Sequence, residues 1–139
     1  MQLRQIMSHQ VETVSADTTV AQAARKMLEF DVGALPVRSD SELVGIVTDR
    51  DIAVRAIATG MDPSNVRCDE VMTPDVISCP ADFDLAQAAH VMTQHRVRRL
   101  VAVNEDQVPV GIVSLGDLAV HMQGADLVAQ LLRELSVPG

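Results

Sequence analysis

The sequence holds no tryptophan and no tyrosine, and its only aromatic residues are Phe30 and Phe83. Binding single strands by stacking bases on aromatic side chains is thereby excluded. Positive charge is scarce too, with 11 Lys and Arg against 19 Asp and Glu and a formal net charge of -8. Nucleic-acid binding by counterion release needs a broad basic face, so nucleic acid is not an expected partner and any bound phosphate must be held locally. No apolar run approaches the roughly 20 residues of a membrane span, which speaks against a membrane partner. The start of the chain has one arginine and no apolar stretch, unlike a signal peptide. Cys68 and Cys79 form neither a C-x-x-C pair nor a disulfide framework. A reduced, cytoplasmic protein is expected.

What is present is Val, Ala, Leu, Ile and Met, which bring the hydrophobic share to 47% of 139 residues. A chain of this size buries only roughly 70% of its unfolded surface, so pairing with a second copy is expected. The apolar residues also repeat. A shift of 65 positions lays Ala81-Asp82 on Ala16-Asp17, Ala86-Gln87-Ala88-Ala89 on Ala21-Gln22-Ala23-Ala24, Met92 on Met27 and Leu100 on Leu35. One extra residue in the loop 104–109 moves the shift to 66, after which Val110-Gly111-Ile112-Val113-Ser114 lies on Val44-Gly45-Ile46-Val47-Thr48 and Asp117 on Asp51.

Each copy changes period in the same order. Val20, Ala23, Ala24, Met27 and Leu28 form a helical stripe over 17–31, with Asp17 or Thr18 as cap, and Leu85, Ala88, Ala89 and Met92 repeat it over 82–95. Short apolar strands follow at 34–37 and 43–47, copied at 99–103 and 110–113, then helices over 48–58 and 114–122. With short strands near 11–14 and 76–78, each copy is a β-α-β-β-α unit. The expected fold is α+β, with repeat 1 over 1–60, a linker over 61–70, repeat 2 over 71–123 and a C-terminal amphipathic helix and tail over 124–139. Each unit leaves one sheet face and one helix face uncovered, so the two are expected to pack by pseudo-two-fold symmetry.

The most distinctive motif is Gly45-Ile46-Val47-Thr48-Asp49-Arg50-Asp51 with its copy Gly111-Ile112-Val113-Ser114-Leu115-Gly116-Asp117. Thr48-x-x-Asp51 and Ser114-x-x-Asp117 read first as helix caps, with the hydroxyl taking a backbone N–H and the carboxylate on the positive end of the dipole. The same geometry suits a nucleotide, since free N–H groups and the hydroxyl serve phosphate and the Asp accepts from a ribose diol. Positive charge is at hand in His95-Arg96-Val97-Arg98-Arg99. Strand alternation sends Arg98 and Arg99 to opposite sides of the sheet, and one of them is expected to face a cleft. Their counterparts Gly33 and Ala34 carry no charge, so a phosphate subsite would be lopsided.

The duplicated unit, Gly33-Ala34-Leu35-Pro36-Val37, the Gly45–Asp51 motif and Val97-Arg98-Arg99-Leu100-Val101 resemble a tandem pair of CBS (cystathionine-β-synthase) domains of the small stand-alone bacterial type, over residues 3–123. The resemblance implies a disc-like regulatory module, a Bateman module, commonly a homodimer. Its two clefts would bind AMP, ADP or ATP, or S-adenosylmethionine or NADH, and no other cofactor is required. The first cleft would comprise Ile46, Thr48, Arg50, Asp51, Ile77, Val97, Arg98 and Val101. There Asp51 would hold ribose, Thr48, Arg50 and Arg98 the phosphate, and the apolar residues the adenine; Arg99 could serve the phosphate of either cleft. The second would comprise Glu12, Val32, Gly33, Pro36, Ile112, Ser114 and Asp117. Gly33 and Gly116 stand where phosphate ligands are expected, and Glu12 brings an acid near the base. The alternative is a structural interaction module with vestigial clefts.

Catalysis is not indicated. His9, His90, His95 and His121 have no metal-ligand spacing with the cysteines, no nucleophile motif is present, and there is no phosphate-binding G-x-x-x-x-G-K-[ST] loop. No metal site is expected, and any output must pass through an effector protein.

Overall fold

The apolar stripes become helices and the β-branched runs become strands in a computed structural model that describes residues 1–7, 12–74 and 76–122, with Ala129 and Arg133. Two compact units result, one of Glu12–Val76 and the other of Met1–Val11 with Ile77–Gly139.

The first unit runs β1 (Val14–Ser15), α1 (Val20–Phe30), β2 (Ala34–Ser39), β3 (Glu42–Thr48), α2 (Asp49–Asp51), a π-helix (Ile52–Ile57), α3 (Cys68–Val71) and β4 (Thr73–Pro74). Its sheet has the order β1-β2-β3-β4, with β1 parallel to β2 and the other pairs antiparallel. Val20, Ala23 and Met27 of α1 pack with Leu35, Val37, Val47 and Ala56 in its core. The second unit opens with a 3-10 turn at Leu3–Gln5 and continues with β5 (Ser78–Pro80), α4 (Leu85–His95), β6 (Arg99–Val103), β7 (Pro109–Ser114) and α5 (Leu115–His121). β5 lies parallel to β6 and β6 antiparallel to β7. Leu85, Ala88 and Met92 pack there with Leu100, Val113 and Leu118.

Each unit is completed by the segment that precedes the other repeat in sequence. Leu3 is fully buried in the second core and its N–H donates to the Phe83 carbonyl at 2.9 Å. Cys68, 65 positions on, is fully buried in the first core and donates to the Thr18 carbonyl at 2.8 Å. Bridges Gln2↔Asp84 and Thr19↔Arg67 repeat the relation. The glycine of each motif is the seat of such a segment. A Cβ on Gly45 would lie 2.6 Å from Met72 Sδ and 2.8 Å from the Thr73 carbonyl oxygen, and one on Gly111 would collide with Met7 Sδ.

Several boundaries differ from expectation. α1 is capped by Thr19, not Asp17 or Thr18, because those two close a turn with Ser15, whose hydroxyl lies 2.6 Å from Asp17 Oδ1 and 2.9 Å from Thr18 Oγ1. Asp84 caps α4. The helix expected over 48–58 is one α-turn followed by a π-helix, whereas its copy α5 is regular. The strand expected near 76–78 is β5, and β4 is an addition that sequence periodicity did not mark. The expected tail helix falls outside the described residues except at Ala129 and Arg133. Among the described residues no helix is long and apolar enough to cross a membrane.

Candidate functional site

The site begins where each central strand turns into a helix. Thr48 ends β3 in an extended conformation, which leaves its side chain and N–H free to cap the helix that follows. Thr48 Oγ1 accepts from the Asp51 N–H at 3.1 Å, and Asp51 Oδ2 accepts from the Thr48 N–H at 3.0 Å. Both residues are buried, Asp51 being 7% exposed. Ser114 and Asp117 repeat the pair at 3.1 and 2.8 Å, half-buried.

The Asp51 carboxylate has two further neighbours that the sequence did not mark. The Thr73 hydroxyl on β4 lies 3.4 and 3.5 Å from its two oxygens, and Arg55 Nε is 3.8 Å from Oδ1. Thr73 arrives because β4 pairs with β3 at Ile46, a register no local motif encodes. Oδ2 is thus committed to the Thr48 N–H, while among the described residues Oδ1 has only long contacts. An ionised carboxylate has about four acceptor positions, so Asp51 keeps capacity for a hydroxyl pair.

The remaining expected residues divide by unit. In the first, Pro36 lies opposite Ile46 across the β2–β3 ladder. Val32 packs against the core. Glu12 pairs with Lys26 at 3.4 Å. Arg50 is exposed, its N–H bound to its neighbour Asp49 Oδ1 at 2.8 Å. The Asp49 N–H donates to the Gly33 carbonyl at 3.0 Å, and Asp49 Oδ2 stands 3.1 Å from where a Gly33 side chain would begin. In the second unit, Ile77 and Val97 pack against the core, and Val101 is bound to the Ile77 carbonyl and lies opposite Ile112. The Arg98 carbonyl accepts from the Leu115 N–H at 2.8 Å, the counterpart of Gly33 with Asp49. Arg99 opens β6 directly opposite Ser114. Directly opposed residues share a sheet face, so Arg99 stands on the face of Ser114. The two equivalent positions therefore differ in sign, a basic side chain at Arg98 and an acid beside Gly33.

Both cysteines are buried as free thiols. Burial pushes each up from 9.0 to about 11, with the Asp69 charge adding to the effect at Cys68. They are poor nucleophiles and poor metal ligands at neutral pH. Among the described residues no three His, Cys, Asp or Glu side chains are grouped to hold a metal.

Residues 3–57 and 68–124 each match the CBS domain. The chain belongs to the CBS domain family. The CBS domain-containing protein YhcV of Bacillus subtilis is 39% identical over 134 residues, which cover 96% of this chain and 94% of YhcV. Hypoxic response protein 1 of Mycobacterium tuberculosis is 36% identical over 86% of this chain and 83% of its own length. Its crystal structure, with two coordinated zinc ions, matches at a TM-score of 0.71 and covers 88% of this chain and 99% of that one. The CBS domain pair of protein MJ0100, solved with 5′-methylthioadenosine and S-adenosyl-L-methionine, matches at a TM-score of 0.72 and 26% identity, over 86% of this chain and 94% of that one. CBS pairs are regulatory modules, and they also occur inside longer enzymes, of which this chain covers 22–23%.

Proposed function

We propose that this CBS pair is a cytoplasmic regulatory module, without catalysis of its own, that binds adenosyl ligands at its strand–helix junctions and passes the bound state to an effector protein. The observation that carries this reading is the buried Asp51 carboxylate, locked by Thr48 through one oxygen and left with an under-used second oxygen suited to a ribose diol. The MJ0100 pair, bound to two adenosyl compounds, supports the ligand class. In the proposed grouping Thr48, Arg50 and Arg98 serve phosphate with Asp51, so that site takes AMP, ADP or ATP. Ser114 and Asp117 form the second junction with Arg99 beside them. The Asp49 carboxylate next to Gly33 favours a ligand without phosphate in the site that includes Gly33. The module acts as a homodimer, and ligand and effector are coupled through their differential affinity for two states.

The absent aromatics make a direct test. A chain without Trp or Tyr absorbs little in the near ultraviolet, so adenine carried through purification dominates the spectrum. Adenosyl compounds added to stripped protein are expected to raise its unfolding temperature. Lack of any shift across the nucleotides and S-adenosylmethionine would favour the reading as an interaction module.

A further inference from the structure

Arg55 stands four residues after Asp51, on the same side of the helical run that Thr48 and Asp51 cap. Its Nη1 donates to the Met72 carbonyl at 3.1 Å and more loosely to the Val71 carbonyl at 3.4 Å. Val71 ends α3 and Met72 leads into β4, so both acceptors belong to the segment that also brings Thr73 to Asp51. The Arg55 side chain is otherwise 53% exposed. A guanidinium is a rigid planar fork, so bonds that fix Nη1 also fix where Nε points.

Nε comes to 3.8 Å from Asp51 Oδ1. That separation is too long for a hydrogen bond, and a half-exposed ion pair at this distance adds little. It is a separation that one hydroxyl bridges. A hydroxyl oxygen about 2.8 Å from each atom accepts from Nε and donates to Oδ1 at once. The Thr73 hydroxyl lies at 3.5 and 3.4 Å from Oδ1 and Oδ2, too evenly placed to saturate either. A sugar carbon that carries hydrogen instead of hydroxyl satisfies neither the donor nor the acceptor.

The second repeat supplies the contrast. His121 stands four residues after Asp117, and its Nδ1 lies 2.9 Å from the Asp117 backbone carbonyl. Among the described residues Asp117 has no ion pair. α5 is a regular helix there, whereas Arg55 sits in a π-helix, a form found often at functional sites. A cation held beside the capping carboxylate is therefore not a requirement of the repeated fold.

We propose that Arg55 is a specificity-determining residue of the Asp51 site: its Nε donates to the ribose hydroxyl whose proton Asp51 Oδ1 accepts, and the pair selects ribose over deoxyribose. The assignment rests on the reading of Asp51 as the ribose carboxylate and adds the donor.

The test is calorimetric titration of the full chain with AMP, 2′-deoxy-AMP and 3′-deoxy-AMP, with circular dichroism reporting the fold. The binding event compared is the one that Asp51→Asn removes. The wild type is expected to bind AMP more tightly than at least one of the deoxy analogues. Arg55→Ala should weaken AMP about fivefold, the scale of one hydrogen bond, and change the affinity for that analogue by less than about twofold. Arg55→Met, which keeps the apolar stem and removes the donors, should do the same. No AMP binding to the folded wild type, or binding that Asp51→Asn leaves intact, overturns the reading of Asp51 and this assignment with it. AMP binding that both Arg55 variants leave unchanged, or weaken equally for AMP and the two analogues, overturns the assignment alone.

Discussion

Replacing Asp51 by alanine separates what this residue does for the fold from what it does for a ligand. Asp51 is 7% exposed, and its carboxylate is the acceptor for the buried Thr48 N–H at 3.0 Å. Removing it leaves that N–H unsatisfied, a cost of about 1–3 kcal/mol, and removes half of a reciprocal cap worth about 1 kcal/mol. The two overlap, and the Arg55 contact at 3.8 Å adds little because Arg55 is exposed. A loss of about 2 kcal/mol is expected, which for a chain of this length lowers the unfolding temperature by roughly 6–8 °C. Asp117→Ala is expected to cost about half as much, since water can reach the half-buried Ser114 N–H in its place. Asp51→Asn keeps an acceptor for Thr48 and should recover most of the stability, yet it loses the charge that a ribose diol would engage. Thermal unfolding read by circular dichroism measures all three. An unfolding temperature unchanged by Asp51→Ala, or lowered more by Asp117→Ala, would refute the reasoning.

Other expectations follow from the same geometry. Arg98→Ala should weaken a phosphate-bearing ligand by at least about tenfold, the worth of a charge-assisted hydrogen bond, and leave 5′-methylthioadenosine unaffected in calorimetric titration; equal losses for both ligands would remove Arg98 from a phosphate role. Gly45→Ala should destabilise by about 2 kcal/mol, because the new methyl would stand 2.8 Å from the Thr73 carbonyl oxygen as well as 2.6 Å from Met72 Sδ; a melting temperature equal to that of the wild type would contradict this. The folded chain holds both thiol protons up to about pH 11, while the unfolded chain releases them above 9.0. Stability should therefore fall as pH rises from 9 to 11, more steeply than in a Cys68→Ala, Cys79→Ala variant. Few other groups titrate there, since the chain has no Tyr and a single Lys, and parallel profiles for the two proteins would discount the thiols.

The repeat, the order of elements and the capping pairs were legible because each leaves a local periodic trace. Thr48-x-x-Asp51 and Ser114-x-x-Asp117 form the reciprocal bonds that their spacing predicts. The exchange of leading segments was not legible, since Leu3 and Met7 lie in a stretch too short for periodicity and their partners are distant in sequence. Thr73 was missed for the same reason, because its place beside Asp51 comes from strand register. The π-helix has no signature in the spacing of Ile52, Val54 and Ile57. Gly33 and Asp49 illustrate a middle case: the missing charge at Gly33 was visible, while the carboxylate that stands beside it depended on how β3 turns into α2.

The central claim is that this CBS pair binds adenosyl ligands through Asp51. Calorimetric titration of stripped wild type and of Asp51→Asn with AMP, ATP, S-adenosyl-L-methionine and NADH tests it most directly. Saturable binding of at least one ligand at or below about 1 mM, lost in a folded Asp51→Asn, is the predicted result. No heat of binding from any of them to the folded wild type, or binding untouched by Asp51→Asn, would contradict it.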